Sequence, residues 1–337
     1  MKAGASGLQI NDGEDQGTTL QDSYFPVSPD MLNPHALTDF RVYLKRGGRY
    51  VLYTRERQYF SRSLKQRLVE NGIDTVYIPY NQRASYESYI MDNLDWILND
   101  PEVPIEARSR AFLDITASQV KEVFNNRLPV LDEQVVDGVR HVVQSSLSFL
   151  STPGATESIS RFISHDYQTF SHSVHVFAYT MMLMHCLEEN WEEETLVDVG
   201  VGALLHDIGK THIPTDVLNK PGRLNEGEWE QVKLHPVHGM RMCTNVSLPQ
   251  MSLNCIVFHH EKFDGTGYPS GMSGEEIPVP VRVLTCCDVY DAITSKRPYA
   301  PASTPFEALK IMSEEMKGAF DSRIFKSFIN VLGRINE

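Results

Sequence analysis

The chain has 337 residues, a formal net charge of −13 at pH 7, and 41% hydrophobic and 22% charged residues. Its length suggests two domains, and its composition is typical of a globular protein that buries a sizeable core. The excess of acidic residues argues against sustained binding to long DNA or RNA, because that binding requires a basic face.

The chain is predicted to start with a polar tail that leads into a β-hairpin. Residues 1–22 have almost no periodic apolar pattern, which predicts a disordered tail. Apolar and polar side chains then alternate over 41–45 and 50–54. Gly47 and Gly48 lie between these two segments, so the pattern predicts a hairpin with a tight turn.

The next elements complete a small α/β module over residues 23–100. The pattern predicts a helix over 61–71 that stops at Gly72, a short strand over 75–79 and a second helix over 84–98. We find no catalytic pattern in this module.

Helices are predicted for almost all of the remaining chain. Apolar residues recur at helical spacing over 104–128 and 132–150. We expect these two amphipathic helices to form a linker over 101–155 and to pair with a second subunit. Residues 156–337 are mostly helical by period. The expected fold class is therefore multidomain: a small N-terminal α/β module, linking helices, and an all-α domain.

Cysteine usage and hydropathy indicate the cellular compartment. The five cysteines form no spaced framework, which favours free thiols in a reducing cytoplasm. No uninterrupted apolar stretch approaches the about 20 residues of a membrane span, and the N-terminus lacks the apolar segment of a secretory signal. We therefore expect a cytoplasmic protein without a membrane span.

Most of the chemistry lies in the helical domain, and it begins with an adjacent His206 and Asp207. They follow an apolar run over 197–205, which predicts a buried helix, and they precede Gly209 and Lys210, which suit a helix C-terminus. Burying an imidazole and a carboxylate is costly unless they are paired or bind a metal ion. Together they suit divalent transition metals.

Two further groups have the same character. His259 and His260 directly follow an apolar run; successive helical side chains diverge by about 100°, so each imidazole can serve a different ion of a pair. Asp288 lies in the middle of an apolar helix, with Asp291 one turn later. One of these carboxylates can be a ligand while the other orients a ligating imidazole.

Two more histidines lie where helices begin. His235 follows a helix for which Asn225 and Glu228 predict a capping box, and it precedes a proline. His172 opens a helix that runs toward Leu187. The residues alone leave His175 as an alternative to His172, and His238 as an alternative to His235. A loop rich in turn residues, Phe263–Pro269, starts three residues after His260 and is expected to rim the site.

These motifs together resemble the HD-GYP phosphodiesterases. The resemblance rests on HDIGK at 206–210, HP at 235–236, HHEKFDGTGYP at 259–269 and DVYDAITSKRPY at 288–299, and it covers about residues 157–335. It implies an all-helical metallohydrolase of bacterial signalling that hydrolyses cyclic di-GMP to pGpG and onward to GMP. By the architecture of similar proteins, the N-terminal module has a regulatory or dimerisation role.

The resemblance also implies the roles of individual residues. Seven are metal ligands: His172, His206, Asp207, His235, His259, His260 and Asp288. Asp207 bridges two metal ions, and Lys210 and Arg297 contact substrate phosphates. Asp264, Gly265 and Tyr268 belong to the signature loop, which binds substrate, shapes the pocket and is implicated in contacts with GGDEF-type signalling partners.

The sequence departs from the family at four positions. Gln168 stands where some members have a glutamate that holds a third metal, so we expect two ions. Lys262 replaces a usual arginine, and Ala300 replaces a residue that is often basic, so one phosphate contact is missing. His212 stands in place of a small residue and is not counted as a ligand.

The expected mechanism follows from paired ions, which lower the pKa of a bridging water so that hydroxide attacks phosphorus. Asp207 and Lys210 are the residues expected to act directly in catalysis, with Lys210 offsetting charge on the phosphoryl oxygens. A ligand set of imidazoles and carboxylates suits iron or manganese better than zinc. Two alternatives remain: a phosphohydrolase for another cyclic dinucleotide, and a cyclic di-GMP-binding module with weak turnover.

Overall fold

The structure is a computed structural model that describes residues 23–125, 130–152, 154–163, 169–187, 190–295 and 302–335. The predicted tail, Gln168, Arg297 and Ala300 lie outside these residues. The chain divides into two compact units, one that ends at Ala111 and one that starts at Phe112. The predicted domain boundaries stay a prediction.

The first unit is built on antiparallel strands. They are β1 (Tyr24–Val27), β2 (Leu37–Thr38), β3 (Val42–Arg46), β4 (Arg49–Thr54), β5 (Gln58–Tyr59) and β6 (Val76–Pro79). A four-stranded sheet has the order β1-β6-β3-β4, and β2 pairs with β5. The predicted hairpin is confirmed: Arg46 pairs with Arg49 across a turn in which Gly47 and Gly48 have φ of 53° and 79°. The short strands β1, β2 and β5 were not predicted.

The first unit also contains three helices: α1 (Arg62–Glu70), α2 (Arg83–Asp92) and α3 (Leu94–Asn99). The helix predicted over 61–71 is confirmed, with the Ser61 side chain as its N-cap. The single helix predicted over 84–98 is wrong, because the chain breaks at Asn93. Its side-chain amide donates to the carbonyl oxygen of Tyr89 at 2.8 Å, and its side-chain oxygen accepts from Asn33 at 2.7 Å. An asparagine side chain that bonds locally in this way competes with the helical backbone.

Both predicted amphipathic helices are present in the described residues, as α4 (Ile105–Asn125) and α5 (Glu133–Leu150). The division between the two units falls within α4. The valines at 136, 139, 142 and 143 of α5 are fully buried, and α5 packs against α8 (Glu193–Leu205) within the second unit. The expected pairing of these helices with a second subunit stays a prediction.

The second unit is helical throughout its described residues, as the period predicted. Its further helices are α6 (Ala155–Phe162), α7 (Thr169–Cys186), α8 (Glu193–Leu205), α9 (Thr215–Leu218), α10 (Glu226–Val232), α11 (His235–Met242), α12 (Gln250–Phe258), α13 (Val279–Thr294), α14 (Pro305–Glu314) and α15 (Ser322–Ile335). Helix α7 packs against α8 and α13, and α8 packs against α12. A methyl group on Gly202 would lie 2.5 Å from Cys255 Cβ, so only glycine permits this approach of α8 to α12. The packing brings the C-terminal ends of α8 and α12 to one place.

All five cysteines are free, as the sequence predicts, and Cys186 is the exposed one. Among the described helices, none has the length and apolar content that a membrane crossing requires.

Candidate metal centre

The His206–Asp207 pair ends the buried helix α8 and is itself buried. The following residues, Ile208–His212, form a short 3₁₀ turn instead of the expected helix C-terminus. Gly209 in this turn lies against α11: a methyl group there would collide with the His235 carbonyl oxygen and lie 2.5 Å from the Gly239 nitrogen. The glycine therefore serves close packing, which places His235 beside Asp207.

The first of two adjoining groups contains Asp207, His235, His259 and His260. The predicted capping box of Asn225 and Glu228 begins α10, and His235 starts the next helix. His259 and His260 directly follow α12. The Nε2 atoms of His235 and His259 are 3.1 Å apart, and Asp207 Oδ1 lies 3.4 Å from the former and 3.8 Å from the latter.

The second group contains His172 on α7, His206, and Asp288 on α13. His172 Nε2 lies 3.0 Å from Asp288 Oδ1, and His206 Nε2 lies 3.9 Å from the same oxygen. Candidate ligand atoms within each group lie within 4.8 Å of one another. The structure thus brings together all seven side chains for which the sequence predicted metal ligation.

Two carboxylates connect the groups, because each presents one oxygen to either side. Asp207 Oδ2 lies 3.5 Å from His206 Nε2 and 3.7 Å from His172 Nε2, whereas its Oδ1 faces His235 and His259. Asp288 turns Oδ1 toward His172 and Oδ2 toward His260 Nδ1, at 3.6 Å. This arrangement suits a pair of ions that share carboxylate ligands.

The backbone sets the orientation of three of the imidazoles. Nδ1 of His206, His235 and His259 donates in each case to the carbonyl oxygen three residues earlier, at 2.7, 2.7 and 3.0 Å. A neutral imidazole that donates from Nδ1 has an acceptor lone pair on Nε2. Each ring therefore presents its metal-binding nitrogen to the cluster.

These acceptor atoms fit divalent cations. Within the described residues, His206 Nε2 and Asp207 Oδ1 are buried without a hydrogen-bond partner. The unprotonated Nε2 atoms of His235 and His259 face each other, which is unfavourable without a cation between them. Buried acceptors of imidazole and carboxylate type are the ligands that divalent transition metals prefer.

The electrostatics keep these groups in their metal-binding protonation states. Burial lowers the pKa of His235 to about 4 and that of His260 to about 3, so both imidazoles are neutral near pH 7. Burial acts to raise the pKa of Asp207, but the Lys210 ammonium at 2.5 Å and the surrounding imidazoles hold it well below its usual range.

Asp291 supports the cluster from behind, as the sequence suggested for one of the two carboxylates on this helix. Its Oδ2 accepts from His172 Nδ1 at 2.7 Å, and its Oδ1 accepts from His175 Nδ1 at 3.0 Å. His172 therefore lies in the cluster, and His175 binds its supporting carboxylate. His238 lies outside both groups and stacks on His212, with ring centroids 5.5 Å apart.

The predicted rim loop reaches the cluster through Tyr268, whose ring centroid lies 4.7 Å from that of His260. Asp264 is exposed and binds its own loop, accepting from Thr266 N at 2.9 Å and Thr266 Oγ1 at 2.7 Å. Gly265 has a φ of 77°, which the turn requires. The predicted contact of this loop with GGDEF-type partners stays a prediction.

Glu261 holds this loop in place, a role that was not predicted from the sequence. Its buried carboxylate accepts from the backbone nitrogens of Ser270, Gly271 and Met272, at 2.6, 3.1 and 3.1 Å. The signal was present, since a glutamate that follows a buried apolar run and two histidines requires partners. The partners are backbone amides, which no sequence pattern identifies.

A cavity of about 980 Å³ opens beside the cluster. Lys210, Tyr268 and Asp288 line it together with His235 and His260. Among the described lining residues, Asp264 and Gly265 are absent, so their predicted substrate contact has no support from this cavity. The predicted phosphate contact of Arg297 lies outside the described residues.

The chain is similar to several known proteins. A family model described as HD domain matches residues 154–324. The chain is 40% identical over 195 residues to a cyclic di-GMP phosphodiesterase of Pseudomonas aeruginosa, covering 57% of this chain and 46% of that protein. It is 31% identical to a cyclic di-GMP phosphodiesterase response regulator of Xanthomonas campestris, covering 72% and 62%.

A 3'3'-cGAMP-specific phosphodiesterase of Vibrio cholerae is 36% identical, with 49% of this chain and 36% of that protein covered. The chain thus spans less than two thirds of the length of each of these curated relatives. An HDG"Y"P protein from Bdellovibrio bacteriovorus has a similar fold, with a TM-score of 0.62, 19% identity, and coverage of 92% of this chain and 99% of that one.

Proposed function

The chain belongs to the HD domain family, whose members bind divalent metal ions, and from this premise we propose that it is a metal-dependent phosphodiesterase that hydrolyses cyclic di-GMP. The products are pGpG, GMP or both. The names of the Pseudomonas and Xanthomonas relatives, both cyclic di-GMP phosphodiesterases, support this substrate.

The observation that supports the chemistry most directly is the position of Asp207 between the two groups. One of its oxygens faces His172 and His206, and the other faces His235 and His259. Two ions a few ångströms apart are a common arrangement for phosphodiester hydrolysis. The proposed ligands are the seven side chains of the two groups, and the proposed number of ions is two.

Divalent ions bound there supply Lewis acidity toward the phosphodiester and an activated water as the nucleophile. The chain's own groups prepare the site. The neutral imidazoles of His235 and His260 need lose no proton to ligate near pH 7. Lys210, at the cavity wall, places a cation where negative charge develops on the phosphoryl oxygens. The Tyr268 ring packs against His260, with ring centroids 4.7 Å apart.

We propose iron or manganese as the resident metal. Imidazole nitrogen and carboxylate oxygen are the only donor types among the two described groups, and this mixture suits both ions.

A second candidate substrate is 3'3'-cGAMP. The specific observation is the 36% identity to a Vibrio cholerae phosphodiesterase with that specificity. The two dinucleotides share the phosphodiester linkages that the metal centre would cleave and differ in one base. The base contacts would therefore decide between them.

A turnover assay with parallel metal analysis tests the proposal. Protein purified without oxygen is analysed for metal and incubated with cyclic di-GMP, 3'3'-cGAMP and cyclic di-AMP. About two ions per chain and release of pGpG or GMP are expected. Cleavage of 3'3'-cGAMP alone would select the second candidate. Tight binding without product would show a sensor, and about one ion per chain would contradict the paired-ion site.

A further inference from the structure

The cavity beside the metal centre has two chemically different walls. Lys210, His260 and Asp288 make its polar end, which is the end suited to a phosphodiester. The rest of its wall contains apolar side chains, among them Leu218 and Trp229. A volume of about 980 Å³ exceeds the needs of a phosphate group and lies in the range of whole-ligand sites. The apolar wall therefore requires an apolar part of the ligand.

Trp229 is the large aromatic side chain of this wall that stays accessible, with 47% of its surface exposed. It is held in place by its helix: its backbone nitrogen donates to the Asn225 carbonyl oxygen at 2.9 Å. The start of that helix is fixed by the capping box of Asn225 and Glu228, and Lys220 binds Glu228 at 2.7 Å. The indole is thus exposed on an ordered element, as a binding platform requires.

Ring contacts connect this indole to the metal centre. The Trp229 and Tyr268 ring centroids are 6.4 Å apart at an interplanar angle of 78°, and Tyr268 lies 4.7 Å from His260. A nucleotide whose phosphate lies at the metal end therefore has its base within reach of the indole. A flat purine is the ligand part that an exposed indole accommodates well.

We propose that Trp229 is a stacking platform for a purine base of the nucleotide substrate. The inference rests on the proposed function for the identity of the ligand, and it adds a residue that determines affinity for nucleotides over plain phosphodiesters. Stacking of one base on an aromatic side chain corresponds to about 5- to 150-fold in affinity.

Kinetics with two substrates test this role. Trp229→Ala is expected to raise the KM for cyclic di-GMP by about 5- to 150-fold. Its effect on methyl p-nitrophenyl phosphate, which has no base, is expected to be at least about fivefold smaller. Trp229→Phe retains a ring and should recover most of the affinity. Phe306→Ala is the matched control, since Phe306 is 77% exposed and does not line the cavity.

A binding measurement gives a readout that is independent of turnover. The chain has three tryptophans, so intrinsic fluorescence can be compared between the wild type and Trp229→Phe. Titration with a phosphorothioate analogue of cyclic di-GMP is expected to quench wild-type emission in a saturable way. Trp229→Phe should lose this quenching while it keeps most of the affinity, and Trp229→Ala should bind the analogue more weakly by calorimetry.

The outcomes separate the two proposals. If the wild type cleaves no cyclic dinucleotide, the proposed function fails, and the fluorescence titration still decides whether Trp229 stacks on a base. Equal losses with both substrates in Trp229→Ala would overturn the stacking role, because they would indicate an effect through Tyr268. An unchanged KM, or quenching that persists in Trp229→Phe, would overturn it as well.

Discussion

Asp207 is the residue on which both halves of the centre depend, because its two oxygens face different groups of imidazoles. Asp207→Asn keeps the shape of the side chain, but it removes the negative charge and replaces one acceptor oxygen. We expect the metal content to fall from about two ions per chain and kcat for cyclic di-GMP to fall about 100-fold or more. Elemental analysis and product release measure the two effects. A variant that kept both ions and full turnover would contradict a bridging role.

Asp291 acts one step further from the metal, through the imidazole it orients. Asp291→Asn weakens the hydrogen bond that aims His172, and we expect metal affinity to fall by about 10- to 100-fold. Excess metal should restore most of the activity, which separates this positioning role from a ligand role. Asp216→Asn, at an exposed position of the same unit, is the control. Competition with a metal chelator gives the affinity.

The buried imidazoles also predict a pH dependence for metal-free protein. The pKa values of His235 and His260 are lowered from 6.5 to about 4 and about 3. Between these values and pH 6.5, both imidazoles are therefore unprotonated in the folded chain, whereas they bind protons in the unfolded chain. The unfolded state binds more protons in this window, so the unfolding free energy falls as pH falls from 6.5 to 4. The loss is about 1.4 kcal/mol per pH unit for each imidazole.

Urea unfolding at pH 7.5, 6 and 5 in the presence of a chelator measures this loss. His235→Gln should reduce the slope, and His35→Gln, at an exposed position of the first unit, should leave it unchanged. A free energy that stayed constant between pH 6.5 and 5 would show that these imidazoles are protonated in the folded chain.

At the scale of elements, the 3₁₀ turn after α8 must lie directly against α11. Gly209→Ala places a methyl group into the His235 carbonyl oxygen, so α11 must move and take His235 away from Asp207. We expect loss of one ion and of most turnover, with destabilisation of about 1–3 kcal/mol. Gly227→Ala is the control, because the nearest atom to its methyl group is a side-chain oxygen at 3.5 Å. Thermal melting and metal analysis distinguish the two variants.

The long helices and strands could be predicted from the sequence, whereas the short ones could not. Periodicity located the hairpin and the helices over 62–70 and 133–150, because each has a repeated apolar face. Strands of two residues have no period to detect, so β2 and β5 were missed. The break at Asn93 depends on Asn33, a partner 60 residues away. Contacts of this kind are not visible in a local pattern.

The candidate site shows the same limit. The buried positions of the His206–Asp207 pair and of Asp288 followed from apolar flanks, and the choice of His172 over His175 came from the family resemblance. No spacing indicated that Asp291 on α13 would accept from both His172 and His175 on α7, since the two helices are distant along the chain. Glu261 was missed for the same reason, because its partners are backbone amides of a later loop.

At the scale of the molecule, the metal centre connects helices that are distant along the chain. Its proposed ligands come from α7 and α13 and from the residues that follow α8 and α12 or begin α11. All of them belong to the unit that starts at Phe112, whereas the sheet lies in the other unit. Metal binding would therefore join five segments of one unit, and no proposed ligand comes from the described residues of the sheet unit.

Metal removal should accordingly destabilise the helical unit selectively. An ion at a hundredfold excess over its Kd adds about 2.7 kcal/mol, which corresponds to a rise in Tm of about 5–10 °C for a unit of this size. We expect calorimetry of the full chain to show one transition that shifts with Mn²⁺ and one that does not. Asp207→Asn should reduce the shift, and Asp216→Asn should retain it. A single transition that shifts as a whole with Mn²⁺ would show that the two units unfold together.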